Sequence, residues 1–75
     1  MKKQIEELLR GIRPDIDFAN EEHLISNGLL ESIDIVEIVV QVEDQLGITI
    51  PSAELKEENF ESMESITALV ERLAT

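Results

Sequence analysis

The fold is decided by one segment, residues 32–46, which reads SIDIVEIVVQVEDQL. Its aliphatic residues recur with helical spacing, and the larger set forms a stripe about 100° wide that predicts a core-facing side. Gly47 follows directly and is expected to end the helix in a left-handed conformation. The pattern therefore predicts a helix over residues 32–46. The core-facing stripe consists of Ile35, Ile38, Val39, Val42 and Leu46.

The same helix carries a second aliphatic set, which we call the docking strip: Ile33, Val36 and Val40. It lies roughly 120° around the helix axis from the first stripe, where a small bundle offers no second core. An exposed apolar strip among like charges is typical of a protein-docking surface that attracts basic partners. The alternative is that the strip packs beneath the preceding loop. The acidic residues around it are Glu31, Asp34, Glu37, Glu43 and Asp44.

Two further amphipathic helices are predicted on either side of this segment. The first runs from about Lys3 to Ile12, with Arg10 and Arg13 near the end where the helix dipole favours cations, and Pro14 ends it. The last follows Ser62, a candidate N-cap. Their apolar stripes are Ile5, Leu8, Leu9 and Ile12 in the first, and Ile66, Leu69, Val70 and Leu73 in the last.

The connections complete the predicted fold. Residues 14–31 show no sustained period and predict a long loop. After an extended linker over residues 48–50, Pro51 is expected to open a short helix or turn over residues 52–56. The prediction is an all-α bundle of three main helices plus one short helix, in a single domain spanning residues 1–75. The loop residues expected to anchor on the core are Ile16, Phe18, Leu24 and Leu29 or Leu30.

Composition narrows the function. The chain has 17 acidic and 6 basic residues and a net charge of -11. This charge disfavours binding to nucleic acids and anionic membranes and favours binding to proteins with basic patches. It has no cysteine, so it can form neither a disulfide nor a thiolate metal site. It also has no Asp-rich calcium loop and no apolar run of membrane-spanning length. We expect a cytoplasmic monomer without a metal site.

Ser32 is the candidate functional residue. At the start of a helix its hydroxyl could cap the helix, as could Glu31, or it could carry a phosphate-linked group facing the free N–H groups. Position alone favours the cap. His23 is the only histidine, and one serine with one histidine is a weak indication of a catalytic triad. We therefore expect no enzyme activity, and an external enzyme would have to activate Ser32.

Residues 28–37, GLLESIDIVE, resemble the modification motif of acyl carrier proteins and of the related peptidyl and D-alanyl carriers. The resemblance continues through residues 43–51, EDQLGITIP, to Phe60 and the last helix, and so covers essentially the whole chain. It implies that Ser32 carries 4′-phosphopantetheine, installed from coenzyme A by a phosphopantetheinyl transferase. The arm would supply the missing thiol and hold acyl or aminoacyl groups as thioesters.

The resemblance also implies partners and their contact residues. The partners would be the transferase, a loading ligase, and synthases or transferases of fatty acid, polyketide or related biosynthesis. Core positions Val39, Val42, Ile50 and Leu55 would lie near a space that shelters a fatty chain in some carriers. The implied partner-binding residues are Glu31, Ile33, Asp34, Val36, Glu37, Val40, Glu43 and Asp44.

Departures from the pattern leave the cargo open. Glu31 and Ile33 stand where Asp and Leu are commoner, and residues 56–59 are slightly longer than in typical fatty-acid carriers. Fatty acyl, polyketide, D-alanyl and amino acid cargoes all remain compatible with the sequence. The alternative function is an unmodified acidic helical domain that docks basic proteins, with Ser32 as a helix cap.

Overall fold

Three α-helices form the protein in a computed structural model that describes residues 1–74. They are α1 (Lys2–Ile12), α2 (Ser32–Leu46) and α3 (Met63–Ala74). Two 3-10 helices, Ser52–Glu54 and Glu57–Phe60, connect α2 to α3, and no strand occurs in the described range. Helix α1 packs against both α2 and α3, and the second 3-10 helix packs against α3. The predicted all-α bundle is confirmed.

The helix ends follow from local sequence. Gly47 lies in the left-handed region at φ 67° and donates its N–H to the Glu43 carbonyl at 3.1 Å, which ends α2 as predicted. The predicted N-cap of α3 is confirmed as well. The Ser62 hydroxyl accepts the Ser65 N–H at 3.0 Å, while the Ser65 hydroxyl accepts the Ser62 N–H at 3.0 Å. This reciprocal pair satisfies donors that the first helical turn would otherwise leave open.

The connection between α2 and α3 differs from the prediction. The short helix ends at Glu54 rather than residue 56, and the second 3-10 helix was not predicted. Its cause is tertiary, because Phe60 is fully buried at 0 % exposure and draws this acidic segment onto the core. The Asn59 side-chain amide donates to the Glu54 carbonyl at 2.8 Å and joins the two turns.

The long loop between α1 and α2 contributes to the core as predicted. Leu24 is completely buried, its carbonyl accepts the N–H groups of Leu29 and Leu30 at 2.9 and 3.0 Å, and its own N–H donates to the Glu61 carbonyl at 2.7 Å. The chain therefore enters α2 from a loop that is held by both packing and hydrogen bonds. The other loop residues buried in the core are Ile16, Phe18 and Leu30, with Leu29 partly buried beside them.

Candidate functional site

Helix α2 has two apolar sides, of which one is buried in the core and the other is exposed. Ile38 and Val42 are buried at 1 % and 0 % exposure, and the rest of their stripe packs partly buried against the core. On the docking strip, Ile33, Val36 and Val40 are 75 %, 60 % and 53 % exposed. The alternative that the strip packs beneath the loop is wrong, because all three of its side chains are exposed. The bundle leaves the strip open to a partner.

Ser32 is the first residue of α2, and Glu31 before it is the N-cap, in an extended conformation at φ -108° and ψ 173°. Of the two candidate caps, Glu31 is therefore confirmed and Ser32 is wrong. Ser32 is exposed, and its hydroxyl makes no hydrogen bond with any of residues 1–74. A free hydroxyl thus stands at the positive end of a 15-residue helix, where an attached phosphate is electrostatically favoured.

The other four serines differ from Ser32. The Ser26 hydroxyl donates to Glu61, and Ser62 and Ser65 are engaged in the cap of α3. Ser52 is exposed and its hydroxyl is free of hydrogen bonds to the described chain, but it begins a three-residue 3-10 helix rather than an α-helix. Ser32 alone among the five combines a free hydroxyl, an α-helix N-terminus and an adjacent exposed apolar strip.

The acidic residues around the strip do not all face solvent. Glu31, Glu37 and Asp44 are exposed; Glu43 is exposed too, but one of its carboxylate oxygens accepts the Ile50 N–H at 2.9 Å and ties the linker to α2. Asp34 corrects the expectation of a fifth exposed acid, because only 8 % of it is accessible. Its carboxylate is turned inward to protein donors, so it is not available on the surface.

Arg13 holds Asp34 in that position. Its Nη1 donates to Asp34 Oδ2 at 2.8 Å and to the Leu29 carbonyl at 3.1 Å, and its other side donates twice to Asp15 at 3.0 Å. The hydrogen bonds from Arg13 hold the pKa of Asp15 below its ordinary value. Sequence reasoning missed this role and assigned Arg13 only to the dipole of α1. The available signal was a rare cation, one of 6 in the chain, placed directly before a proline.

Glu61 is a second residue that sequence reasoning missed. Its carboxylate accepts the Ser26 hydroxyl and the N–H groups of Ile25 and Ser26 at 2.8 and 3.0 Å. The Ser26 hydrogen bonds, followed by that of Ile25, hold the pKa of Glu61 below its ordinary value. The long loop is thereby joined to the start of α3. No sequence pattern separates this glutamate from the 16 other acids.

A shallow open cleft runs beside Ser32 between the start of α2 and the two 3-10 helices. The aliphatic part of its lining comes from Ile25, Ile35 and Leu55, and charged side chains line it as well: Glu31, Lys56 and Glu57. An attached chain with an anionic root could therefore lie along this cleft. His23 is exposed on the loop, and within residues 1–74 no cluster of His, Cys, Asp or Glu is arranged to hold a metal ion. Nor does this range contain a helix long and apolar enough to cross a membrane.

Comparison with known proteins adds an independent finding. Residues 2–73 match the family model described as "Phosphopantetheine attachment site". The chain is 31 % identical over 74 residues to the D-alanyl carrier protein of Leuconostoc mesenteroides, an alignment that covers 97 % of this chain and 95 % of that protein. It is 29 % identical over 59 residues to D-alanyl carrier protein 1 of Lactiplantibacillus plantarum, covering 79 % and 74 % of the two chains.

Proposed function

This chain belongs to the phosphopantetheine-binding carrier family, whose members bear 4′-phosphopantetheine covalently on a serine, and from that premise we propose that Ser32 is the attachment site of a freestanding aminoacyl carrier. The observation that carries the proposal is the exposed, unbonded Ser32 hydroxyl at the N-terminus of α2. When bound, the arm supplies the thiol that this cysteine-free chain lacks, on which cargo is held as a thioester.

The residues around Ser32 fit the group. The free N–H groups and dipole at the start of α2 favour a phosphodiester. Lys56 adds a cation to the adjoining cleft, which the carboxylates of Glu31 and Glu57 also line. The aliphatic part of the cleft lining can cover the apolar parts of an attached chain. The arrangement therefore suits an anionic root followed by a partly apolar arm.

Attachment requires Ser32 Oγ to form a bond to the phosphorus of coenzyme A that bears pantetheine. The anhydride P–O bond breaks, adenosine 3′,5′-bisphosphate leaves, and the serine proton must pass to a base. His23, the only imidazole, is not bonded to Ser32. The base therefore belongs to the transferase, and the chain itself acts as substrate and carrier rather than as an enzyme.

The docking strip and the exposed acids beside it form the proposed partner surface. The aliphatic side chains give short-range contact, and the acids attract the basic patches of the transferase and of a loading ligase. Asp34 is left out, since Arg13 already pairs with its carboxylate. We place on this surface Glu31, Ile33, Val36, Glu37, Val40, Glu43 and Asp44.

The relatives favour one cargo class. Both relatives described above are D-alanyl carrier proteins, so we propose an aminoacyl cargo, with D-alanine as the first to test. Neither of these two relatives is named as a fatty acyl or polyketide carrier. The cytoplasmic monomer expected from the sequence stays a prediction.

The attachment site can be tested with a serine series. The wild type, Ser32→Ala and Ser52→Ala chains are incubated with coenzyme A and a broad-specificity phosphopantetheinyl transferase, and intact masses are recorded. We expect one added arm on the wild type and on Ser52→Ala, the control with the other free serine, and none on Ser32→Ala. An arm on Ser32→Ala would refute the site. No arm on the wild type would favour the unmodified interaction domain.

Cargo and docking need two further measurements. The modified chain is offered to a D-alanine-activating ligase and, separately, to a fatty-acyl-loading enzyme; the proposal expects an aminoacyl mass gain only.

For docking, Glu37→Lys is compared with Glu71→Lys, which makes the same charge change on the exposed side of α3. We expect Glu37→Lys to raise the transferase KM roughly ten-fold at low salt and Glu71→Lys to leave it nearly unchanged. Equal effects of the two variants on KM would mean that the transferase responds to the net charge of the chain and not to this particular surface.

A further inference from the structure

Arg13 contacts the chain on both sides of Ser32. Its Nη1 donates to the Leu29 carbonyl, three residues before the serine, at 3.1 Å, and to Asp34 Oδ2, two residues after it, at 2.8 Å. Asp34 Oδ2 also accepts the Glu31 N–H at 2.9 Å. One guanidinium at the end of α1 thereby joins the last loop turn to the first turn of α2.

This connection is largely shielded from solvent. The Asp34 side chain is 10 % exposed and that of Arg13 is 28 % exposed, so water competes weakly for their bond. Asp15 accepts two bonds of 3.0 Å from Nε and Nη2, the guanidinium nitrogens that do not contact Leu29 or Asp34. Ser32 itself makes no side-chain hydrogen bond to the described chain, so the contacts of the flanking residues are what hold the backbone that carries its hydroxyl.

We propose that Arg13 is a positioning residue for the modification of Ser32. The inference rests on the proposed function, in which a transferase binds the docking strip along α2. The serine oxygen then reaches the reacting phosphorus only if the first turn of α2 keeps its position relative to the docking strip. A small displacement of Ser32 lowers the rate of arm transfer steeply. By pairing with Asp34, Arg13 also offsets the negative charge of a carboxylate two residues from Ser32, where the phosphate must approach.

The test measures steady-state modification by one transferase for four chains: wild type, Arg13→Gln, Asp15→Asn and Leu73→Ala. Asp15→Asn loses only the outer contact of Arg13, and Leu73→Ala loosens α3, where Leu73 packs partly buried against the core. All assays are run well below each melting temperature. We expect Arg13→Gln to lower kcat roughly ten-fold while KM changes less than about two-fold, because the strip remains intact. The two control variants should stay within about two-fold of wild type in kcat.

Two results would overturn the positioning role. One is an unchanged kcat for Arg13→Gln; the other is an equal fall in Leu73→Ala, which would trace the effect to general loosening. Amide exchange gives a readout that does not depend on modification. The Glu31 and Asp34 amides, bonded to Asp34 Oδ2 and to the Glu31 carbonyl, should exchange faster in Arg13→Gln but not in Asp15→Asn.

The exchange readout also separates this inference from the proposed function. If the wild type gains no arm, the proposed function fails, and amide exchange then decides only the structural half of the inference, that Arg13 orders the turn around Ser32. Unchanged protection of Glu31 and Asp34 in Arg13→Gln would overturn it. Faster exchange confined to residues 29–34 would support it.

Discussion

Replacing Leu24 with alanine should destabilise this carrier far more than the same replacement at Leu55. Leu24 is 0 % exposed and Leu55 is 48 % exposed, so the pair compares one chemical change in two environments. Removing the side-chain carbons of Leu24 loses about 2.5 kcal/mol of burial, and the cavity left behind brings the cost to about 3 kcal/mol. At Leu55, which water already reaches, the cost is about 1 kcal/mol or less.

The loss expected for Leu24→Ala is large compared with the total free energy of unfolding. A domain of this size is stable by roughly 4–11 kcal/mol, so Leu24→Ala stays folded over much of that range but melts about 12–24 °C lower. Urea unfolding followed by circular dichroism, with thermal melts alongside, measures both variants. Alanine keeps the backbone bonds of Leu24 to Leu29, Leu30 and Glu61, so the loss reports side-chain packing. Equal losses at the two positions would refute the claim that the long loop is part of the core.

Three further predictions concern pH, backbone conformation and charge. The folded pKa of Glu61 is depressed, so its contribution to stability is present above the ordinary carboxyl pKa and is lost as pH falls through the folded value. As pH is lowered, the melting temperature should therefore fall less steeply in Glu61→Gln than in the wild type. Identical slopes of melting temperature against pH would contradict this. Gly47→Ala, at φ +67°, should lower stability by about 1 kcal/mol, whereas Gly11→Ala, inside α1 with open space around it, should raise stability by up to about 1 kcal/mol in the same urea assay. Raising salt from about 10 to 150 mM, or adding millimolar divalent cations, should raise the melting temperature because like charges are screened; a flat response would contradict this.

Much of the fold was readable from the sequence because its determinants are local. Helical spacing placed α2 over residues 32–46, Gly47 ended it, and Ser62 capped α3, as the structure confirms. The docking strip was also predictable. Two aliphatic sets on one helix cannot both face the core of a small bundle, and the structure leaves Ile33 and its two companions exposed.

Other features required the tertiary structure. The sequence alone could not separate a buried acid from an exposed one, since Asp34 and Glu37 are both acids beside the same aliphatic residues. Asp34 is buried because Arg13, 21 residues earlier, reaches it once α1 packs against α2. The second 3-10 helix likewise forms because Phe60 is drawn into the core.

The candidate site shows the same division. The sequence by itself determined that a hydroxyl, an apolar strip and a run of acids share one helix, since spacing and composition are local properties. The structure decided between Glu31 and Ser32 as the N-cap, and only tertiary contacts turned Asp34 inward. The physical reason is that burial and ion pairing depend on which distant segments meet, and packing alone brings Arg13 to the start of α2.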